Sequence, residues 1–144
     1  MYRRACLLGK LEYFVFLDDD LELDFSIEYF ESLLKKYHSA RIAPNMPKNF
    51  HTSEPANLTV IPIKYTDDCL MALSAKAADK LMPYSTEFDQ TWWWHNSEDF
   101  CELSWDEFQW QTYKLNQLSV RNLQNRSYPK DCGCGLPTNE FAVV

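Results

Sequence analysis

The stretch Tyr13-Phe-Val-Phe-Leu-Asp-Asp-Asp-Leu-Glu-Leu, residues 13–23, decides the fold of this 144-residue chain. Its first five residues are apolar without a break, which is typical of a strand buried on both faces of a parallel sheet. The run stops at Asp18, and ligands of open α/β sheets bind outside the carboxyl ends of the strands. The stretch therefore predicts an α/β fold with a candidate site at the end of this strand.

Helical and strand patterns alternate along the rest of the chain. Apolar residues at helical spacing predict a helix over about 27–37, capped by Asp24 or Ser26. The other predicted elements are a helix tail at 1–10, strands at 40–43, 58–65, 69–73 and 115–120, a loop at 44–57, and helices at 75–82 and 97–113. This order predicts a mixed sheet flanked by helices.

We expect one domain over residues 1–130 and an irregular tail at 131–144. The net charge of −7 argues against a nucleic-acid partner, because binding phosphates needs a basic surface. The apolar runs are far shorter than the roughly 20 residues that span a bilayer, so no transmembrane segment is expected. Five scattered cysteines, with Cys132-Gly-Cys134 lacking the spacing of a zinc site, predict a reduced, cytoplasmic protein.

The three adjacent aspartates have a chemical interpretation. Neighbouring carboxylates repel one another unless a cation or solvent compensates, and a hard divalent ion prefers oxygen ligands. In an extended segment Asp18 and Asp20 point to the same side, so both can face one ion, while Asp19 points the other way. The alternative is a solvated strand end followed by an Asp-rich turn into the next helix.

Residues 13–23 resemble the DxD segment of nucleotide-diphospho-sugar glycosyltransferases with the GT-A fold. In that family a strand delivers an acidic motif that holds Mn²⁺ or Mg²⁺ against the diphosphate of the sugar nucleotide. The resemblance implies that Asp20 is the principal metal ligand. It implies that Asp18 contacts the ribose, or the metal through water, and that Asp19 approaches the donor sugar.

The chain looks most like a poorly characterised group of such proteins over about residues 5–130. The matching segments are Lys64-Tyr65, Met71-Ala72, Leu81-Met82-Pro83 and 92–99. Family members place a nucleotide-binding βαβ region before the DxD strand, whereas only about 12 residues precede Tyr13. We therefore expect a partial or minimal GT-A fold, with an exposed sheet edge that favours self-association or a partner chain.

A second acidic pair follows three tryptophans in Trp92-Trp93-Trp94-His95-Asn96-Ser97-Glu98-Asp99. This segment is similar to the acceptor side of inverting transferases such as galactosyltransferases, where an acidic residue is the general base. The resemblance implies that Asp99 is the base, that Glu98 orients the acceptor, and that Trp92, Trp93 and Trp94 stack against sugar. The alternative is that Ser97 caps a helix whose first-turn acids only stabilise its dipole, by about 0.3–1 kcal/mol each.

Other polar residues carry weaker predictions. His95 is a candidate ligand or acceptor contact, and the basic residues between Arg121 and Lys130 are candidates to neutralise a leaving diphosphate. Together the patterns predict a metal-assisted, inverting glycosyltransferase that uses a nucleotide-sugar donor and a hydroxyl acceptor. The alternatives are a non-catalytic carbohydrate- or nucleotide-binding module, an inactive fragment, or an interaction domain.

Overall fold

The computed structural model of the chain describes residues 11–45, 58–87 and 93–122. Its strands are β1 Tyr13–Leu17, β2 Leu21–Leu23, β3 Arg41–Asn45, β4 Val60–Pro62, β5 Leu70–Ser74 and β6 Thr112–Asn122. Its helices are α1 Ile27–Tyr37, α2 Ala75–Leu81 and α3 Trp93–Phe108, which a 3₁₀ turn follows at Gln109–Gln111. The predicted helix tail at 1–10, most of the predicted loop at 44–57 and the tail at 131–144 lie outside the described residues.

The strands form a sheet in the order β1-β5-β3-β6-β2, and β4 also pairs with β6. The pairing of β3 with β6 is parallel, whereas the pairings β1–β5, β3–β5, β4–β6 and β2–β6 are antiparallel. The predicted α/β class with a mixed sheet and helices is therefore confirmed.

The position of β1 differs from the prediction. Tyr13–Leu17 pairs antiparallel with β5 at one end of the strand order, so it is not a central strand of a parallel sheet. Two of its side chains, Val15 and Leu17, are 49% and 52% exposed. An apolar run of five residues has the same pattern in an edge strand as in a central one, and only its neighbours distinguish the two.

The long strand β6 supports both parts of the sheet. Its first half pairs with β3 and with β4, and its last three residues pair with β2. The prediction at 115–120 covered only the middle of this strand, and β2 was not predicted. The chain therefore crosses from the edge strand β1 to the far half of β6 within Asp18, Asp19 and Asp20.

Serine side chains begin the two shorter helices. Ser26 Oγ accepts a hydrogen bond from Tyr29 N at 3.2 Å and caps α1, and Ser74 Oγ caps α2 through Ala77 N at 3.2 Å. Asp24 is not the cap, because its carboxylate accepts from the backbone and the hydroxyl of Ser119 at 3.0 and 2.5 Å. Both contacts connect the start of α1 to β6.

The helices cover both faces of the sheet. Along β5 the side chains alternate, so that Ala72 packs with the α1 side while Met71 and Leu73 pack with the α2 and α3 side. The α1 side is built from Phe30, Leu33, Leu34, Ile42, Ala72, Leu115 and Leu118. The opposite side includes Ala77, Ala78, Leu81, Phe100 and Phe108. No helix in the described part of the chain is long and apolar enough to cross a membrane.

Candidate functional site

The acidic triplet lies where β1 ends. The Asp18 backbone N–H donates to the Cys69 carbonyl at 2.8 Å, and Asp19 and Asp20 form a turn before β2. The predicted extended alternation of the three side chains is therefore wrong, because the chain must change direction here to reach β6. Antiparallel pairing of Leu17 with Leu70 brings the carboxyl end of β1 beside the amino end of β5.

This pairing adds two more carboxylates to the same end of the sheet, those of Asp67 and Asp68. Asp18 is exposed on one side, and its partial burial raises its pKa; the negative charges of Asp20, Asp67, Asp19 and Asp68 raise the pKa further, in that order of effect. Asp18 therefore lies close enough to four other aspartates for their charges to act on it. A cation or a hydrogen-bond donor at this end of the sheet would lower that repulsion.

Asp68 is bound on both of its carboxylate oxygens. Oδ1 accepts from Arg41 Nη2 at 2.6 Å, and Oδ2 accepts from Ser97 Oγ at 2.6 Å and from Tyr84 Oη at 3.1 Å. The Asp68 side chain is 15% exposed. It therefore joins the acidic end of the sheet to β3, to α3 and to the segment after α2.

Arg41 enters this network from the middle of the sheet, and its side chain is 1% exposed. Besides Asp68, the guanidinium donates to the Thr66 hydroxyl, to the Lys64 carbonyl at 3.3 Å and to Cys101 Sγ at 3.1 Å. It lies 5.6 Å from the ring centre of Phe100, within the range of a cation–π contact. Its Nε is buried and has no hydrogen-bond partner among the residues that the structure describes. Burial lowers the pKa of Arg41, but the neighbouring Cys101 and Asp68 raise it on balance, so the buried side chain stays charged.

Helix α3 begins earlier than predicted. It starts at Trp93, so Ser97 is not its N-cap and Glu98 and Asp99 are not in its first turn. Ser97 instead lies inside the helix and donates to Asp68. The helix also ends at Phe108, before the predicted end near residue 113. A polar Ser-Glu-Asp run is typical of a helix start, but here the core contacts of α3 extend the helix through it.

The faces of α3 separate the predicted acceptor residues from Asp68. Ser97, Phe100 and Cys101 are buried toward the sheet, whereas Glu98 and Asp99 are exposed. At 3.6 residues per turn, Asp99 lies about 200° around the helix from Ser97. Glu98 forms an exposed pair with His95, at 3.0 Å from Nδ1. The structure thus brings Asp18, Asp19 and Asp20 close to Asp67 and Asp68, but it records no contact between them and Asp99.

The tryptophans are only partly described. Trp92 lies outside the described residues, and the backbones of Trp93 and Trp94 form the first turn of α3. Arg121, proposed as a phosphate contact, pairs with Glu22 at 2.8 Å on the exposed side of the β2–β6 ribbon. Residues 123–130, the rest of that basic segment, lie outside the described residues.

The side chains that could bind a metal ion limit how the predicted Mn²⁺ or Mg²⁺ could be held. Over residues 11–45, 58–87 and 93–122, no three His, Cys, Asp or Glu side chains are placed to hold one ion together. A complete protein cage is not what Mg²⁺ requires, because it usually binds one or two carboxylates together with substrate phosphates and water. Asp18 and Asp20 fit that limited role in chemical type, since both are carboxylates at the strand end.

The sequence reading missed Asp67, Asp68 and Arg41. Asp67-Asp68 directly precedes a predicted strand, and in an antiparallel pair the start of one strand meets the end of its neighbour. The signal was therefore present, but using it required knowing that β1 and β5 are antiparallel neighbours. Arg41 gave no signal of burial, because an arginine beside alanine and isoleucine is usual at a strand end.

Comparisons of the chain with protein-family models, with curated proteins and with solved structures found no match.

Proposed function

We propose that this chain carries the donor side of a nucleotide-sugar glycosyltransferase site at the shared end of β1 and β5. The observation that carries the proposal is the meeting of Asp18, Asp19 and Asp20 with Asp67 and Asp68 at one end of the sheet. Their mutual repulsion favours a ligand that brings positive charge. A divalent ion held by these carboxylates meets that need, and the same ion can bind a diphosphate.

The reaction would transfer a sugar from a nucleoside diphosphate to a hydroxyl. The bond between the anomeric carbon and the phosphate oxygen breaks, and the acceptor oxygen bonds to that carbon with inversion. The nucleoside diphosphate leaves with the electron pair, and a carboxylate accepts the hydroxyl proton. Asp20 and Asp18 would hold Mn²⁺ or Mg²⁺, which when bound supplies positive charge beside the diphosphate.

The acceptor side of this proposal rests on Glu98 and Asp99. Ser97 contacts Asp68 directly, so this part of α3 adjoins the acidic end of the sheet. Asp99 faces away from that contact, whereas Glu98 lies about 100° from Ser97 around the helix. We propose Asp99 as the general base and Glu98 as the residue that orients the acceptor. The tryptophans at 92–94 would stack against the acceptor sugar.

A second candidate function is a binding module that holds a sugar nucleotide without transferring it. The outward position of Asp99 favours this alternative, because a general base must lie within hydrogen-bond reach of the hydroxyl it deprotonates. Both functions share the donor site at Asp18 and Asp20, and they differ in turnover.

Titration calorimetry with Mn²⁺ and a panel of UDP- and GDP-sugars tests the donor site. We expect binding that requires the metal and that Asp20→Asn abolishes. Asp79→Asn, an exposed aspartate on α2, is the matched control and should bind like the wild type. Undiminished binding by Asp20→Asn would contradict the donor site. So would the absence of metal-dependent binding by the wild type.

Product analysis then separates the enzyme from the module. With a panel of sugar acceptors, transfer that Asp99→Asn removes supports the glycosyltransferase with Asp99 as its base. Transfer that survives Asp99→Asn but not Glu98→Gln moves that role to Glu98. Metal-dependent binding with neither transfer nor hydrolysis of the donor supports the binding module.

A further inference from the structure

We infer that Asp68 is a positioning residue, which fixes the Asp18–Asp20 turn relative to the sheet and to α3 without itself contacting the ligand. The inference rests on the proposed function, since it assigns the turn a ligand to receive. Asp68 has hydrogen-bond partners on both of its carboxylate oxygens.

The partners of Asp68 come from three separate parts of the fold. Arg41 belongs to β3, Ser97 belongs to α3, and Tyr84 follows α2. Three donors on one carboxylate leave it little capacity to bind a cation as well. Three rigid attachments do, however, restrict the position of the backbone at Asp68 more than any single one would.

The restricted backbone at Asp68 is connected to the acidic turn at Asp18–Asp20 by a short path. Asp67 Oδ1 accepts a hydrogen bond from the Cys69 backbone N–H at 3.0 Å. This bond joins the residue before Asp68 to the residue after it and so closes a tight turn around Asp68. The Cys69 carbonyl then accepts from Asp18 N–H at 2.8 Å. From Asp68 to Asp18 the path therefore crosses one residue of chain and one hydrogen bond.

Stability alone does not account for the pair of Arg41 and Asp68. Removing a charge from water is expensive, and well-packed apolar side chains of similar volume often serve a fold equally well. Within the described part of the chain the Nε of Arg41 lacks a partner, and a buried donor without one is costly even when the other nitrogens are bonded. The pair also fixes the position of the Asp68 backbone. Hydrogen bonds to a carboxylate require a defined geometry, whereas apolar contacts allow a range of positions.

The positioning role also explains how the acidic turn and α3 keep one arrangement. Ser97 precedes Glu98 and Asp99 directly, so its bond to Asp68 sets how these residues lie relative to Asp18–Asp20. Some residues orient metal ligands without contacting the metal. Replacing them commonly lowers metal affinity or activity roughly 10–100-fold.

Two variants test the inference. The double variant Arg41→Met with Asp68→Asn leaves no buried charge unpaired and so guards against simple unfolding. Ser97→Ala leaves every charge in place and removes only the attachment to α3. Glu102→Gln, in the exposed pair with Lys64, is the matched control.

Affinity for Mn²⁺ with UDP is measured by calorimetry, beside the melting temperature of each variant. We expect affinity to fall roughly 10–100-fold in the double variant and by a smaller factor in the same direction in Ser97→Ala. Glu102→Gln should match the wild type. Because Ser97→Ala changes no charge, a loss in that variant cannot come from a weaker electrostatic field. Wild-type affinity in a folded double variant and in Ser97→Ala would overturn the inference.

Hydrogen exchange of the Asp18 amide provides a readout that needs no ligand. The double variant should exchange this proton at least severalfold faster than the wild type, while the amides of α1, which carries neither substitution, stay unchanged. If the wild type binds no Mn²⁺ with UDP, the proposed function fails, and this exchange rate still decides whether Asp68 positions the turn. An unchanged rate at Asp18 would overturn the positioning role on its own.

Discussion

Arg41 and Asp68 form a buried ion pair, with 2.6 Å between Nη2 and Oδ1 and side-chain exposures of 1% and 15%. The pair crosses from the central strand β3 to the segment that leads into β5. It thereby connects the interior of the sheet to the end where the aspartates gather.

Removing one partner of this pair should destabilise the protein strongly. We expect Arg41→Met alone to lower the free energy of unfolding by about 3–5 kcal/mol, because Asp68 then keeps a charge in a poorly solvated position. Urea unfolding followed by circular dichroism measures the change. As a control, Lys80→Met breaks an exposed pair with Glu107, and its cost should stay within about 1 kcal/mol. Equal costs for the two variants would show that the buried pair is not special.

Replacing Asp18 should make the protein more stable at neutral pH. Burial and neighbouring carboxylates raise the pKa of Asp18 above its ordinary 3.8, so the folded state binds this proton more tightly than the unfolded state. Stability contributed by this group is therefore present below the ordinary pKa and is lost as the pH rises through the raised folded pKa. Asp18→Asn removes that loss. Melting temperatures measured as the pH rises from the ordinary pKa of 3.8 should show a flatter profile for the variant.

The exposed Asp106→Asn on α3 is the control for this experiment, and its melting profile should follow the wild type. Added Mn²⁺ should stabilise the wild type more than Asp18→Asn, since the ion compensates the same repulsion. An Asp18→Asn variant that is less stable than the wild type at neutral pH, or whose profile is as steep, would contradict the predicted sign.

The two cysteines of the described core should be unreactive while the protein is folded. Burial raises the pKa of both Cys69 and Cys101, and in Cys101 the Arg41 guanidinium only partly opposes this effect. Since the thiolate is the reactive form, native modification should be slow. A variant with Ser at positions 6, 132 and 134 isolates these two thiols. A chromogenic disulfide reagent should then label neither quickly at pH 8, and both within the mixing time in 6 M urea. Fast labelling of the native variant would show that one of the two sites opens readily.

The end of α1 should tolerate glycine better than its native residue. His38 terminates the helix in the left-handed region, at φ 47° and ψ 39°, where a side chain with a Cβ is disfavoured. We expect His38→Gly to raise the free energy of unfolding by roughly 0.5–1 kcal/mol. His38→Ala keeps the Cβ and should give no such gain in the same urea titration. A similar gain from alanine would mean that the histidine ring, not the backbone, is the source of the cost.

Much of the local structure was predictable because its causes are local. The helical spacing of Phe30, Leu33 and Leu34 predicts α1, and the hydroxyls of Ser26 and Ser74 are preferred helix caps wherever they precede such a pattern. The start of α3 was not predictable from residues 97–99, because their preference for a helix start is local, whereas Ser97 lies inside the helix and contacts Asp68, 29 positions away.

The sequence by itself determined that residues 13–17 form a strand, that an acidic triplet follows it, and that the fold is α/β with a mixed sheet. These features depend on side chains a few positions apart. Only the tertiary structure decided that β1 is an antiparallel edge strand, that Asp67 and Asp68 join the triplet, and that Arg41 lies buried behind them. Those facts depend on which strands become neighbours, and the contacts that decide this join residues far apart in the chain, such as Tyr13 with Ser74 and Arg41 with Asp68.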